Sequence, residues 1–330
     1  MKKIKFIVFA LIILIIFPYA AQLADFSFGT HGESIAVTVP QGSSTSEIGK
    51  ILKKNGLVKS SAIFVFKVKT SKYKNSLNYG TFSFKKGMTN SEIIKIIGEN
   101  AYVESTVKVT FPEGSSVEQM AQIVQSASLV SETDFLNALN ESYDYEFLKY
   151  IPTANYKYKL QGCLFPSTYE FFKSASAHEI VDKMLAEQQT QLKKLNVKNE
   201  NVFDTLIKAS IIEKEAKLDS ERATVAGVIE NRLAVGMPLQ IDACVVYAVT
   251  DGLYNISALY ENQLKTNSPY NTYKNKGLPP GPICCPGANS IKAAQNPEKH
   301  NYYYYHTDEK KKDGSHIFTE TFDEHTSTMK

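Results

Sequence analysis

The sequence predicts an α+β fold with an N-terminal membrane helix, a small α+β module and a larger α+β domain. Three observations predict it. The first 24 residues contain a long apolar run, a strand, glycine turn and helix pattern occurs three times between residues 39 and 120, and helical and strand-like segments alternate from there to residue 330. A chain of 330 residues is longer than one typical domain and accommodates this division.

The N-terminal run covers residues 4–24 and contains only Lys5 and Gln22 as strongly polar positions. A bilayer is crossed by about 20 apolar residues. Lys2 and Lys3 come before the run, so the positive-inside rule predicts a cytoplasmic tail at residues 1–3 and places everything after the anchor outside. Residues 25–32 are then a linker. A cleaved signal peptide is the alternative, because alanines follow the apolar region. A signal peptide would also export the body of the chain.

Three segments share the repeated pattern. They read V-P-Q-G-S-S-T-S-E-I from Val39, F-K-K-G-M-T-N-S-E-I from Phe84 and F-P-E-G-S-S-V-E-Q-M from Phe111. Each predicts a strand end, a glycine turn and a helix capped by Ser or Thr. We expect the first two copies to form a module over residues 33–102 and the third to open a domain over residues 103–330. Such units resemble the LysM-like module that binds glycan; a spacer above the membrane is the alternative.

The composition is that of an ordinary globular protein, with 43% hydrophobic and 22% charged residues. The net charge is only +3, so we expect no nucleic-acid partner. Six histidines show no H-x-x-x-H spacing, and we expect no metal and no cofactor. The four cysteines have no C-x-x-C spacing and are predicted to be small buried hydrophobic residues: Cys163, Cys244, Cys284 and Cys285.

The helix predicted over residues 202–217 carries the strongest chemical signal. It is apolar nearly all round, which indicates burial, yet it contains Glu213 and Glu215 about 200° apart around its axis. Glu213 precedes Lys217 by four residues, an order that favours a structural ion pair. Glu215 has no such local partner. Because burial raises the pKa of a carboxyl and thereby suits a general acid, Glu215 is the candidate catalytic residue, with a distant Arg or Lys partner as the alternative.

Polar and aromatic residues downstream predict a binding cleft. Residues 237–247 alternate polar and apolar side chains, so a strand-like stretch would place Gln240 and Asp242 on one face. Residues 277–287 are rich in Pro and Gly and predict a rigid loop next to the Tyr- and Asn-containing segment 268–273. We expect this loop to form a wall of the cleft. A proline-rich surface connection is the alternative.

Taken together, these motifs resemble the YceG-like endolytic murein transglycosylase family, also called MltG. The blocks are A-S-I-I-E-K-E, N-R-L-x-x-G-M-x-L-Q-x-D, Y-N-T-Y, G-L-P-P-G-x-I-x-x-P-G and Y-Y-Y-Y-H, and the resemblance extends from the membrane segment to the end of the chain. It implies that Glu215 is the catalytic glutamate. It also implies a set of substrate-binding residues: Gln240, Asp242, Tyr270, Asn271 and Tyr273. Ala243 departs from the pattern, because the family usually has Pro there.

The resemblance further implies an activity and a location. The expected enzyme is anchored in the cell membrane by one helix and cuts the bond between N-acetylmuramic acid and N-acetylglucosamine in nascent peptidoglycan, leaving 1,6-anhydro ends. Its role would be to terminate glycan elongation in cell-wall assembly. Its expected partners are glycan strands, the cytoplasmic membrane and cell-wall synthases. Two alternatives stay open: a muramidase that uses water, with Asp242 or Glu213 as second carboxylate, and a non-catalytic peptidoglycan-binding scaffold.

Overall fold

A computed structural model describes residues 34–40, 42–99, 106–152 and 157–329. The chain divides into two compact units, Met1–Thr106 and Val107–Lys330. The predicted tail, membrane segment 4–24 and linker 25–32 lie outside the described residues. Within the described ranges, no helix is both long enough and apolar enough to cross a membrane.

The first unit is a two-stranded sheet with three helices. Strand β1 pairs with β2 in antiparallel register, with Val39 opposite Gly80, and both strands share a core with the helices. The elements are β1 (Ser34–Val39), α1 (Thr45–Lys54), α2 (Ser61–Thr70), β2 (Gly80–Lys85) and α3 (Asn90–Gly98). The strands and helices predicted from the first two repeats are confirmed. Helix α2 was not predicted.

Local chemistry explains why the three repeats fold alike. Each repeated helix begins with a capping box, in which a Ser or Thr side chain and the side chain three residues later satisfy each other's backbone N–H groups. The capping pairs are Ser44 with Glu47, Thr89 with Glu92, and Ser116 with Gln119. The turn before each cap requires φ values of 81°, 92° and 75°, which glycine adopts readily, at Gly42, Gly87 and Gly114.

The second unit contains eight described α-helices and two two-stranded sheets, so the α+β prediction is confirmed. Strand β3 (Thr106–Thr110) pairs with β4 (Thr168–Phe172), and β5 (Tyr304–Thr307) pairs antiparallel with β6 (His316–Thr319). The helices are α4 (Val117–Ser126), α5 (Glu132–Ala138), α6 (Ala177–Lys194), α7 (Val202–Glu215), α8 (Arg222–Ala234), α9 (Asp242–Val249), α10 (Ala288–Gln295) and α11 (Phe322–Thr328).

Helix α7 lies at the centre of this unit and contacts α8, α9 and α10. Its apolar side chains are almost completely buried, as the sequence predicted: Leu206, Ile207, Ala209, Ile211 and Ile212. The helix ends at Glu215, two residues before the predicted end, and Ala216 already has an extended backbone. The last turn of a buried helix therefore carries both glutamates.

The predicted strand over residues 237–247 is wrong. Residues up to Ile241 form a loop, and Asp242 begins helix α9. Gln240 has a φ of 50°, which is incompatible with a regular strand. The loop places Gln240 and Asp242 at the entrance of a helix, so they do not line one face of a sheet.

The Pro/Gly segment 277–287 has no regular secondary structure, as predicted, but it is not a surface connection. Its central residues Ile283, Cys284 and Cys285 are fully buried. The N–H of Ile283 donates to Oγ of Ser210 on α7 at 3.0 Å, so the loop packs directly onto that helix. All four cysteines are free and buried, which confirms their prediction as small core residues.

Candidate active site

The carboxyl group of Glu215 is held by a tyrosine from the C-terminal sheet. Glu215 is partly buried at the last position of α7, and its Oε2 accepts a hydrogen bond of 2.7 Å from the Tyr305 hydroxyl. Tyr305 lies on β5, opposite Phe318 on β6. The structure thus gives Glu215 a distant partner, but that partner is a neutral hydroxyl instead of the Arg or Lys considered from the sequence.

The surroundings raise the pKa of Glu215 above the usual range of a glutamate. Burial is the largest cause, because it disfavours the charged form, and the negative charge of Asp242 acts in the same direction. The Tyr305 hydrogen bond and the charge of His316 oppose this effect. The balance favours a carboxyl that keeps its proton at higher pH than an ordinary glutamate, which is the condition for a general acid.

The Tyr305 hydroxyl is the donor in this pair. Burial and the neighbouring Glu215 raise its pKa well above the ordinary tyrosine value, so it stays protonated. The carboxyl group also accepts a backbone hydrogen bond from Ala243. Tyr305 and Ala243 together hold the carboxyl group of Glu215 in place.

His316 fixes the hairpin that carries Tyr305. Its backbone N–H donates to Oε1 of Glu221 at 3.0 Å, and its Nδ1 lies 2.8 Å from Oε2 of the same carboxylate. Glu221 comes directly before α8. The ring of His316 packs edge-on against Tyr305, with centroids 5.5 Å apart. These contacts tie the β5–β6 hairpin to the segment that follows Glu215.

Asp242 and Tyr273, both predicted site residues, form a second pair. The Tyr273 hydroxyl donates to Oδ1 of Asp242 at 2.6 Å. Thr272 supports the pair, since the N–H of Ile241 donates to its Oγ1 at 2.8 Å and the N–H of Gln240 to its carbonyl at 3.1 Å. The two family blocks that contain these residues are therefore joined in space. Asp242 and Gln240 are exposed, so their side chains are accessible to a ligand.

The other two predicted binding residues are buried. Tyr270 is 8% exposed and packs against Tyr247, with ring centroids 4.9 Å apart. Asn271 is fully buried, and its amide donates to the carbonyls of Leu264 and Thr266 at 2.9 and 2.8 Å. Its Oδ1 accepts the N–H of Tyr273 at 3.0 Å. These bonds shape the loop that presents Tyr273.

Arg232 is a buried charged residue close to these groups that the sequence analysis did not assign to the site. It is buried on α8, and its Nε donates to the carbonyl of Tyr303 at 2.6 Å. Its positive charge interacts with Glu215, Tyr273 and Tyr305, and its burial lowers its own pKa. Its place in the N-R-L block gave a signal, but only the fold shows that its charge interacts with Glu215.

Glu213 has a different environment from Glu215, and its predicted pairing with Lys217 is wrong. Its Oε1 lies 3.2 Å from Nη1 of Arg222, and its Oε2 accepts the N–H of Gly287 at 2.9 Å. The side chains of Glu213 and Arg222 are 6% and 9% exposed. Because the helix ends at Glu215, Lys217 does not occupy the helical position that the spacing assumed. Glu213 instead holds the Pro/Gly loop against α7 and α8.

The structure therefore gives the two glutamates different environments: Glu213 is held in an ion pair, and Glu215 has a raised pKa. Among the residues that the structure describes, no group of three or more His, Cys, Asp or Glu side chains could hold a metal ion. The arrangement around Glu215 is suited to proton transfer by one carboxyl group, and Asp242 and Tyr273 both lie close enough to interact with it electrostatically.

Comparison with known proteins places these features in a family. The model of the YceG-like family matches residues 37–330. The endolytic murein transglycosylase of Bacillus subtilis is 33% identical over 308 residues, which cover 88% of this chain and 83% of that protein. The enzyme of the same name from Streptococcus pneumoniae strain D39 is 34% identical over 292 residues, or 80% of this chain, and the match spans 52% of its length.

A solved structure is also similar. The crystal structure of a yceG-like protein from Listeria monocytogenes is 33% identical and superimposes with a TM-score of 0.58. The match covers 90% of this chain and 99% of that one.

Proposed function

Because the chain belongs to the YceG-like family, we propose that it is an endolytic murein transglycosylase, the activity for which its curated relatives are named. Its substrate is the glycan strand of peptidoglycan. It is a lytic enzyme that cuts the strand internally.

The observation that carries this proposal is the state of Glu215. A carboxyl group whose pKa is raised by burial and which is held by the Tyr305 hydroxyl is suited to donate one proton. Proton donation to a leaving oxygen is the step that glycosidic cleavage requires of an acid. The opposing effect of Tyr305 on the pKa is useful after this step, because the hydroxyl stabilises the carboxylate that forms.

The bond that we propose is cleaved joins N-acetylmuramic acid to N-acetylglucosamine. Glu215 donates its proton to the glycosidic oxygen, and the C1–O bond breaks as positive charge develops at C1. The Glu215 carboxylate then takes the proton of the muramyl C6 hydroxyl while that oxygen bonds to C1. The products are a new N-acetylglucosamine hydroxyl end and a 1,6-anhydro end. No water is consumed, and Glu215 regains its proton.

We assign the remaining residues by their accessibility. Gln240 and Asp242 are exposed beside the site and would contact the sugars, together with Tyr273. Asp242 also helps to keep Glu215 protonated. Tyr270 and Asn271 support the loop from within. Because Asp242 is already bonded to the Tyr273 hydroxyl, it is not required as a second catalytic carboxylate in this scheme.

The location and the small module complete the proposal. Residues 4–24 would anchor the enzyme in the cell membrane with residues 1–3 in the cytoplasm and the catalytic domain, residues 103–330, outside. The order strand, helix, helix, strand in the first unit supports a LysM-like module over residues 33–102. Cleavage of strands as they emerge beside cell-wall synthases would terminate their elongation.

The experiment that tests the activity compares the full wild-type chain with Glu215→Gln on uncrosslinked glycan strands. We expect wild type to shorten the strands and the variant to leave them intact. Glu261→Gln is a matched control, because Glu261 is 85% exposed and pairs only with the exposed Lys265 among the described residues. Full activity of Glu215→Gln would refute the assignment, and binding without cleavage by wild type would indicate the scaffold alternative.

A further inference from the structure

A groove of about 570 Å³, lined by both polar and apolar groups, lies next to the proposed catalytic turn. It is formed by helix α4, by the glycine turn of the third repeat and by Lys214 on α7, the residue directly before Glu215. Its volume is within the usual range of ligand sites. The polar side chains that line the groove include Glu113, Gln119, Gln122, Ser126 and Lys214.

The groove presents one acidic and one basic group. Glu113 forms no ion pair or hydrogen bond with any residue in the described ranges, and burial together with the charge of Glu213 raises its pKa. Lys214 is partly buried, with its Nζ 3.7 Å from the centre of the Tyr254 ring and 3.3 Å from the carbonyl oxygen of Gly114. These contacts hold the ammonium group in place while leaving it hydrogen-bonding capacity.

Neutral polar groups lie along the α4 wall. Gln122 and Ser126 are exposed and four residues apart, so they lie on the same face of the helix. Neither side chain forms a hydrogen bond within the part of the chain that the structure describes. Gln119, in contrast, is fixed by donation to the carbonyl of Leu253 at 3.1 Å. The α4 wall is therefore fixed at Gln119, and the side chains of Gln122 and Ser126 offer hydrogen-bond donors and acceptors to a ligand.

We propose that this groove binds the short peptide that branches from muramic acid in peptidoglycan. This inference rests on the proposed function, since it concerns the same substrate. Such a peptide has a backbone rich in donors and acceptors, carboxylate groups and, on its diamino residue, a free amine. Lys214 is suited to a carboxylate and Glu113 to the amine, while Gln122 and Ser126 can bond the amide groups.

The position of the groove fits a branch from the cleaved strand. Lys214 directly precedes Glu215, and successive side chains leave an α-helix about 100° apart, so the groove lies about a quarter of the way around the end of α7 from Glu215. On a helix about 10–12 Å in diameter, this corresponds to an arc of about 10 Å. An extended peptide of five residues spans up to about 17 Å, so a peptide attached to a sugar at Glu215 is long enough to reach the groove. Its binding would select strands that still carry peptides and would help to orient the muramic acid for attack.

The test measures equilibrium binding of a sugar-free stem pentapeptide to the full chain by calorimetry, which does not depend on cleavage. Ser126→Trp fills the groove from an exposed helix position, and Thr133→Trp on α5 is the matched control at an exposed position outside it. Glu113→Gln removes one charge without changing the shape. Acetylating the side-chain amine of the peptide removes the opposite charge.

We expect the wild type and Thr133→Trp to bind the peptide equally and Ser126→Trp to lose binding. Glu113→Gln should weaken binding about tenfold, the effect of losing one charge-assisted bond, and acetylated peptide should bind wild type and Glu113→Gln equally weakly. Absence of binding to wild type, or unchanged binding to Ser126→Trp, would overturn the inference. Peptide binding by a chain that cleaves no strand would instead contradict the proposed function alone.

Discussion

Replacing Tyr305 with phenylalanine tests the role of the hydroxyl group that contacts Glu215. The hydroxyl donates a 2.7 Å hydrogen bond to Oε2, and this bond strengthens as Glu215 loses its proton and becomes charged. Hydrogen bonds to charged groups contribute about 1.5–3 kcal/mol, so the proton-transfer step should slow by about 10- to 100-fold. Loss of the donor also raises the pKa of Glu215 further, so the alkaline limb of the pH–rate profile should move to higher pH.

The assay is the initial rate of strand cleavage as a function of pH. Phenylalanine keeps the ring that packs on His316 and Phe318, at centroid distances of 5.5 and 5.9 Å, so the fold is expected to be preserved. Tyr304→Phe is the matched control, because Tyr304 neighbours Tyr305 on β5 and its ring packs against α11. A Tyr305→Phe enzyme with an unchanged rate and an unmoved alkaline limb would refute the reasoning.

Three further predictions concern stability. Because the pKa of Glu215 is raised in the folded state, the folded chain binds more protons than the unfolded chain between the ordinary and the raised value, and stability falls as pH rises through that window. The Tm of Glu215→Gln relative to wild type should therefore increase as the pH rises above the ordinary glutamate pKa, and a constant difference would contradict this. Arg222→Met leaves the carboxylate of Glu213 buried without its ion-pair partner. We expect urea titrations to show a loss of about 3–5 kcal/mol in the free energy of unfolding. A loss below about 1 kcal/mol would show that the pair is unimportant for stability. Gly162→Ala should destabilise the folded chain more than Gly236→Ala does. Both glycines have a positive φ, but only at Gly162 would the new Cβ lie 2.5 Å from Pro282. Equal changes in the urea midpoint of the two variants would disprove the clash.

The repeated helices could be predicted from the sequence because their signals are local. The caps Ser44, Thr89 and Ser116 act within three residues of the chain, and the preceding glycines adopt the backbone conformation that the turns require. Helix α2 (Ser61–Thr70) was missed for a related reason. Its side chains are apolar around much of the axis and include Val and Phe, so the local pattern favours no single face.

The candidate site depends on contacts that no local pattern specifies. Glu215 was identified by the absence of a local partner, but its actual partner, Tyr305, is 90 residues away. The Y-Y-Y-Y-H block contains four consecutive tyrosines, and only the strand pairing determines which one faces Glu215. The helix start at Asp242 was mistaken for a strand because the positive φ of Gln240 and the bonds to Thr272 are tertiary features.

The same limit explains the error at Glu213. The i to i+4 spacing to Lys217 assumes a helix that continues, whereas α7 ends at Glu215. Arg222 reaches Glu213 only because the chain turns immediately and begins α8 beside it. Sequence spacing thus located the turn that carries both carboxyl groups, and the fold determines which partners each of them bonds.

The most direct test of the central claim is mass spectrometry of strands cleaved by the full chain in water labelled with heavy oxygen. If Glu215 transfers the proton of the muramyl C6 hydroxyl, the new ends should be 1,6-anhydro sugars without the label, and Glu215→Gln should form none. Labelled reducing ends would show that water attacks C1 and would contradict the account.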